Sequence, residues 1–300
     1  MLPSYSYALI SAFLWALSAP IINKGLDKIP NEAKFAGILI GLLASLLSGS
    51  LFLLIFLLPH LGLVQFSLFL ILAGIFTFPV GTGLYYLCGH AYKGKMEIAA
   101  QFARVKPIFS VLLAVLFLKE TLSSGSYISL ILIGIGTVFI IIGSLQGTFR
   151  LSALLLGLLT AGSWSLGEAF IKLGLSAKGS IIDTFVALVS GTIALTIFFI
   201  LLSPFYSLKK HKCQAASWIT YFIAHGVLSF GVAYAAFFES IKVIGLGQTV
   251  LINAFWPIFA IFFVWLGSYI SAEEYQVPKF IWLAATFLLI GSILQVIIKF

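Results

Sequence analysis

The stretch that decides the fold is Trp15-Ala-Leu-Ser-Ala-Pro-Ile-Ile-Asn-Lys-Gly-Leu26, because its pattern returns 149 positions later in the chain. There the sequence reads Trp164-Ser-Leu-Gly-Glu-Ala-Phe-Ile-Lys-Leu-Gly-Leu175, which aligns Trp with Trp, Leu17 with Leu166 and Gly-Leu with Gly-Leu. One such match between Leu- and Gly-rich helices can arise by chance. Further matches in the same order would indicate two copies of one unit.

Three further matches follow at nearly the same shift. They are a Pro-Ile-Phe motif (107–109 and 257–259), an acid before the next helix (Glu120, and Glu273 or Glu274) and a Leu-Ile-Gly motif (132–134 and 289–291). The acid of the second copy requires a few inserted residues. The sequence therefore predicts an internal repeat, with copies at residues 1–150 and 151–300.

The composition is too apolar for a water-soluble domain. Hydrophobic side chains make up 61% of the 300 residues and charged ones 9%, whereas a globular chain carries about a quarter charged residues. These figures exclude a disordered chain, a collagen, a disulfide scaffold and a cytosolic enzyme. The net charge of +8 does not indicate a nucleic-acid partner, because the basic residues lie between apolar runs, where they orient and anchor membrane helices.

A helix that crosses a hydrocarbon core about 30 Å thick needs about 20 apolar residues. That length predicts about ten spans, numbered in chain order: residues 5–23, 34–58, 67–92, 96–118, 126–146, 151–173, 181–203, 217–241, 246–268 and 279–298. Each copy then has an odd number of spans, so the second copy must cross the membrane upside down. We predict an all-α integral membrane protein of ten transmembrane helices in two inverted five-helix repeats, an architecture that recurs in secondary transporters.

This pattern resembles the EamA branch of the drug/metabolite transporter superfamily. The resemblance rests on the Trp of spans 1 and 6, the Pro-Ile-Phe of spans 4 and 9, Glu120-Thr-Leu and the glycines of spans 5 and 10. It implies a membrane carrier of a small metabolite with cytoplasmic termini, whereas the distribution of Lys and Arg between the loops places both termini outside. Lysine far outnumbers arginine and Ile and Phe are frequent, which suggests an AT-rich genome of the kind common in host-dependent bacteria. We expect the protein to lie in the inner membrane of a bacterium.

Span 4 carries a polar stripe. Glu97, Gln101 and Arg104 are spaced by four and then three residues, which places them on one helical face. Ionisable groups at membrane depth are costly, so the stripe is predicted to line a substrate path. Glu97 fits an interfacial position equally well. Lys106 precedes Pro107, where the helix can kink, so it either extends to the interface or lines the cavity.

Span 6 carries a second face with Trp164, Glu168 and Lys172 at spacings of four. Two interpretations remain open for Glu168. It forms an intrahelical ion pair with Lys172, or it lies in the cavity beneath Trp164 and attracts a cation, to which the ring adds about 0.5–2 kcal/mol. In the second case Trp15 stands across the pseudo-symmetry axis.

Spans 3 and 9 supply the remaining candidates. Tyr86 and His90 lie four residues apart in span 3, and His90 is a candidate for proton coupling. Span 9 offers Gln248, Asn253 and Trp256 as the counterpart of the span 4 stripe, although Asn253 could simply bond a neighbouring helix. The predicted substrate-binding residues are Trp15, Tyr86, His90, Gln101, Arg104, Trp164, Glu168, Gln248, Asn253 and Trp256.

The chain shows no nucleotide-binding, metalloprotease or hydrolase motif. We therefore predict a secondary carrier, not an enzyme, without catalytic residues, cofactor or metal, driven by proton coupling or substrate exchange. Its partners are membrane lipid and a small zwitterionic or cationic metabolite, and no nucleic acid. S-adenosylmethionine fits, and members of the resembled family with that activity are known. An amino-acid exporter, including one for aromatic amino acids, is the alternative within the family, and a membrane-embedded enzyme or lipid-handling scaffold is the alternative outside it.

Overall fold

The computed structural model describes residues 4–30, 34–91, 103, 105–145, 151–177, 179–202, 216–256, 258–260, 262–263, 266 and 279–297. Throughout these residues the regular structure is helical and no strand occurs. The elements are α1 (Ser6–Asp27), α2 (Lys34–Leu57), α3 (Leu68–Ile75), the π-helical segment π1 (Phe76–Thr82), α4 (Gly83–Ala91), α5 (Lys106–Leu116), α6 (Ser124–Leu145), α7 (Leu151–Gly174), α8 (Ser180–Leu202), α9 (Ala216–His225), the π-helical segment π2 (Gly226–Ala233), α10 (Tyr234–Ile244), α11 (Leu246–Asn253) and α12 (Lys279–Ile297).

Five of the described helical segments are long and apolar enough to cross a membrane. They are Ser6–Asp27, Lys34–Leu63, Leu68–Cys88, Ser180–Leu201 and Ser217–Ile244. Shorter apolar helices, among them Lys106–Leu116, Ser124–Phe139 and Trp282–Gln295, overlap other predicted spans. The fold is therefore all-helical and membrane-embedded, while the number of ten spans stays a prediction.

Local sequence explains several helix boundaries. The Ser67 hydroxyl accepts the backbone N–H of Leu70 at 3.1 Å and so caps the start of α3. Gly245 separates α10 from α11 with a φ of +85°, a conformation that glycine adopts without the strain imposed by a Cβ. Two predicted spans are thereby joined through a single residue.

Two long helices contain a π-helical segment at their centre, and the two segments are related by the same spacing as the repeat. π1 begins at Phe76 and π2 at Gly226, which are 150 positions apart. Pro79 lies inside π1 and cannot donate a backbone hydrogen bond, which favours a change of register. π2 contains no proline. π-helical turns occur frequently at functional sites.

The helices of the two copies pack against each other in a reciprocal pattern. Helix α1 packs on α9, π2 and α10, while its counterpart α7 packs on α3 and π1. The same exchange relates the contact of α2 with π2 to that of α8 with π1, and α6 packs on its own counterpart α12. The core therefore lies between the copies and not within either one.

Glycines allow the closest of these helix crossings. A Cβ on Gly49 would lie 2.9 Å from the carbonyl oxygen of Gly226, and a Cβ on Gly191 would lie 2.9 Å from that of Gly74. In both crossings one glycine belongs to each copy. Small residues at helix interfaces let backbones approach closely in membranes, so larger side chains at these positions would separate the copies.

Candidate substrate site

A buried ion pair lies where α5 and α7 meet. Lys106, the first residue of α5, extends its ammonium directly to Glu168 Oε1 of α7. The Glu168 side chain is 3% exposed and the Lys106 side chain 18%. Because charges are costly to bury unless they are paired and hydrogen-bonded, this pair is the first candidate for a functional site.

Two serines complete the surroundings of the carboxylate. The Ser110 hydroxyl donates to Glu168 Oε2 at 2.5 Å. Ser165 Oγ lies 2.9 Å from Ser110 Oγ and 3.2 Å from the Lys106 carbonyl oxygen, so its single proton can be donated to either. Both oxygens of Glu168 therefore have a polar partner, and one of them keeps its partner if Lys106 moves.

Aromatic rings surround the Lys106 ammonium. Its Nζ lies 5.5 Å from the ring centroid of Trp15, 5.9 Å from that of Trp164 and 5.5 Å from that of Phe237. These distances fall within the range of cation–π attraction. We call Trp15, Lys106, Ser110, Trp164, Ser165, Glu168 and Phe237 the central cluster. It draws on α1, α5, α7 and α10, two helices from each copy.

Trp164 is fixed by π1. Its Nε1–H faces the Thr77 carbonyl oxygen at 3.1 Å and the Thr82 hydroxyl oxygen at 3.3 Å. The preceding Ser163 hydroxyl donates to the Phe76 carbonyl oxygen at 2.7 Å. A Cβ on Gly81 would lie 2.4 Å from Trp164 Cδ1, so only glycine leaves room for the indole. The π-helical segment thus sets the position of one wall of the central cluster.

A second charged group, Glu120, binds the start of α11. Its Oε1 and Oε2 accept the backbone N–H groups of Leu246 and Gly247, each at 2.9 Å. The Lys172 ammonium lies 3.4 Å from Glu120 Oε1 and 3.4 Å from the Ile241 carbonyl oxygen. A carboxylate at a helix N-terminus satisfies free N–H groups and complements the helix dipole. This contact links the two copies outside the central cluster.

The structure brings together three of the predicted site residues: Trp15, Trp164 and Glu168. The interpretation of Glu168 as the intrahelical partner of Lys172 is wrong, because Glu168 binds Lys106 while Lys172 binds Glu120. The two backbone N–H groups at the start of α11 hold Glu120 beside Lys172, which pairs with that carboxylate.

The other predicted site residues lie elsewhere or outside the described chain. Tyr86 is 1% exposed and packs against Phe222 and His225, with ring centroids 6.0 and 6.2 Å away. Asn253 accepts the Ser11 hydroxyl at 3.1 Å, the inter-helix bond considered as its alternative role. Gln248 and Trp256 are half-buried. His90 belongs to α4, and its side chain lies outside the description, as do Glu97, Gln101 and Arg104.

Sequence reasoning missed several members of the central cluster. Lys106 was predicted only to extend to the interface or to line a cavity, and Ser110, Ser165 and Phe237 were not singled out. The spacing of four between Lys106 and Ser110 is the one local signal, because it places both on one face of α5. Within the described chain, no group of three His, Cys, Asp or Glu residues could hold a metal ion.

Comparison with known proteins identifies the family of this chain. The model of the EamA-like transporter family matches twice, at residues 2–142 and at residues 151–297. No curated protein matches the chain. A solved structure described only as "Crystal structure of protein" is similar with a TM-score of 0.71 at 14% sequence identity, over 97% of this chain and 95% of the other. At that identity the similarity shows a shared fold and nothing further.

Proposed function

Because the chain belongs to the EamA-like transporter family, a family of membrane transporters of small molecules, we propose that it is a secondary carrier of a small organic zwitterion or cation. The substrate class is inferred from the Lys106–Glu168 pair, whose ammonium group is surrounded by three aromatic rings. A buried ion pair contributes little to stability compared with apolar packing. Charged side chains at membrane depth more often mark a substrate or ion path.

The chemistry of the central cluster favours a ligand with an ammonium or sulfonium group. A carboxylate supplies the countercharge, and indole and phenyl faces attract a cation through their quadrupoles. S-adenosylmethionine suits such a site, since its adenine can stack on aromatic rings while its sulfonium faces Glu168. An amino acid, including an aromatic one, is the second candidate, because the same groups can hold its ammonium and its side chain.

The arrangement of the copies supports alternating access as the transport mechanism. The family model matches each half once, and the packing of the helices is reciprocal between the halves. We propose ten spans in two inverted repeats of residues 1–150 and 151–300, with the central cluster near the membrane midplane. The remaining predicted residues, Tyr86, His90, Gln101, Arg104, Gln248, Asn253 and Trp256, belong to the proposed substrate path. The bacterial inner membrane is the proposed location, and proton coupling or exchange the proposed driving force.

Transport by purified protein in liposomes tests this function. Labelled S-adenosylmethionine and labelled amino acids are offered without ATP, with and without unlabelled compound inside. We expect saturable uptake or exchange of at least one of them. Glu168→Gln should reduce transport at least tenfold, because the neutral amide no longer attracts the cation. Glu239→Gln on α10 is the matched control and should transport normally. No movement of any compound would reject the carrier function.

A further inference from the structure

We propose that Lys106 is the residue that binds the anionic group of the substrate, so that the carrier accepts zwitterions and excludes cations that lack a carboxylate. In the structure its ammonium lies at the position that the three aromatic rings and Glu168 make suitable for a cation. A substrate cation takes that position, and Lys106 then pairs with the substrate carboxylate. This inference rests on the proposed carrier function and narrows the substrate class of the same site.

The charged groups of the central cluster balance each other. Glu168 and Lys106 neutralise each other, and among the described residues no other ionised group contacts either of them. A simple cation entering this site would leave one uncompensated positive charge among buried aromatic rings, where an unpaired charge is strongly disfavoured. A ligand that places one cationic group and one carboxylate in the cluster adds no net charge there, because these two groups exchange partners with the existing pair. The second cationic group of S-adenosylmethionine then has to lie outside the cluster.

The two partners of the ion pair, Glu168 and Lys106, are held in place to different degrees. Glu168 is 3% exposed and is held by the Ser110 hydroxyl at 2.5 Å. Lys106 is the more exposed partner at 18%, and a lysine side chain has four flexible carbons with a compact charge at the end. Lys106 is therefore the group that can turn away, and Ser110 continues to bind the carboxylate while it does so.

Ser110 and Ser165 provide hydrogen-bond partners around Glu168 while Lys106 moves to the substrate carboxylate. The Ser165 proton can be donated to Ser110 Oγ or to the Lys106 carbonyl oxygen, at 2.9 and 3.2 Å. The polar groups around Glu168 can thus rearrange without leaving a hydroxyl unsatisfied. Apolar neighbours would instead fix the lysine on the carboxylate, because nothing would replace its hydrogen bond.

Matched ligands that differ in one group test the proposal. Phenylalanine is compared with phenethylamine, which lacks the carboxylate, and with 3-phenylpropionate, which lacks the amine. S-adenosylmethionine is compared with its decarboxylated form. Each unlabelled compound competes with whichever labelled zwitterion the wild-type protein transports. We expect the compound that carries both an amine and a carboxylate to compete at least tenfold better than the relative that lacks either group. Equal competition by the decarboxylated compound would overturn the proposal while leaving the carrier function intact.

Variants of Lys106 assign the preference to this residue. Lys106→Gln should remove the preference for the carboxylate and make phenethylamine the better competitor, because Glu168 is left without its countercharge. Lys106→Arg should retain the preference. The matched control is Lys28→Gln, since the Lys28 ammonium also lies over an aromatic ring, 4.7 Å from that of Tyr221, but at an exposed position. A Lys106→Gln protein that keeps the wild-type preference would reject the assignment, and the wild-type competition decides alone if that variant does not fold.

Discussion

Trp164 and Trp15 occupy equivalent positions in the two copies, yet their surroundings differ. The Trp164 indole is hydrogen-bonded to π1 through the Thr77 carbonyl oxygen and the Thr82 hydroxyl. Trp15 contacts the opposite helix through rings alone, with centroids 5.0 Å from Tyr234 and 5.1 Å from Phe237. Within the described chain its N–H makes no hydrogen bond. The Trp164 wall of the central cluster is therefore fixed by hydrogen bonds, and the Trp15 wall is held by aromatic packing and by the Lys106 ammonium over its ring.

The sequence of the π-helical segments accounts for one of these two contacts. The position 150 residues after Thr82 is Val232, so π2 has no hydroxyl where Thr82 accepts the Trp164 N–H. The glycine of this contact is present in both copies, as Gly81 and Gly231, but a Cβ on Gly231 would meet the Phe52 ring and not Trp15. The two copies share the arrangement of their helices, but among the described contacts only Trp164 is hydrogen-bonded to the π-helical segment of the opposite copy. We infer that the Trp15 wall moves more readily when the carrier changes state.

The largest effect is expected from filling the glycine beside the locked tryptophan. Gly81→Ala places a Cβ 2.4 Å from Trp164 Cδ1, so the indole must leave its position on π1. Overpacking of this kind costs about 1–3 kcal/mol, and we expect a clear drop in the melting temperature of the purified protein and slower transport. Gly231→Ala is the matched control, because the nearest atom there, Phe52 Cδ1, lies 3.0 Å away on a side chain that can turn. Equal losses in both variants would show that the two interfaces are equally tight.

A smaller effect is expected from removing each indole N–H. Trp164→Phe loses the one N–H that is shared between the two acceptors on π1, worth about 0.5–1.5 kcal/mol in all, whereas Trp15→Phe loses no hydrogen bond among the described contacts. Thermal unfolding in detergent should therefore distinguish the two variants, with the lower melting temperature for Trp164→Phe. Both should bind the transported zwitterion more weakly, because phenyl rings attract cations less than indole does. A more stable Trp164→Phe than Trp15→Phe would contradict the assignment of the fixed wall.

The smallest effect is expected at the hydroxyl itself. Thr82→Val gives π1 the residue that π2 has at this position and removes one of the two acceptors of the Trp164 N–H. The Thr77 carbonyl oxygen still accepts the Trp164 N–H but loses the Thr82 hydroxyl that donates to it at 3.0 Å, so we expect a loss of about 1 kcal/mol. The reverse change, Val232→Thr, should leave stability unchanged unless Trp15 can reach π2. A gain in melting temperature for Val232→Thr would show that the second copy can lock as the first does.

The repeat and the helical architecture could be read from the sequence because apolar length and the Trp, Pro-Ile-Phe and Glu signatures are local. The helix bounds Ser6–Asp27 and Lys34–Leu57 lie close to the predicted spans 5–23 and 34–58. The π-helical segments were not predictable. Pro79 marks only one of them, and a change of hydrogen-bond register leaves no periodicity in the sequence.

The site could be predicted only in part, because its ion pair joins residues far apart in the chain. Trp164 and Glu168 were found from their shared face on one helix, and Trp15 from the repeat. Local spacing favoured Lys172 as the partner of Glu168. In the structure Lys172 pairs with Glu120, and the Glu168 carboxylate binds Lys106 across the interface between α5 and α7. Only the packing of the helices decides between two lysines of equal charge.

The packing of α2 on α9 and π2 has a consequence for how the protein is made. The Ser45 hydroxyl, one turn from Gly49 on α2, donates to the Phe222 carbonyl oxygen at 2.7 Å across a sequence separation of 177 residues. At roughly 5–20 residues per second of synthesis, α2 waits about 10–35 seconds in the membrane before its partner leaves the ribosome. During that interval the glycine surface and the serines of the first copy face lipid or the insertion machinery. We therefore expect biogenesis of this transporter to require that the first half is shielded until the second half arrives.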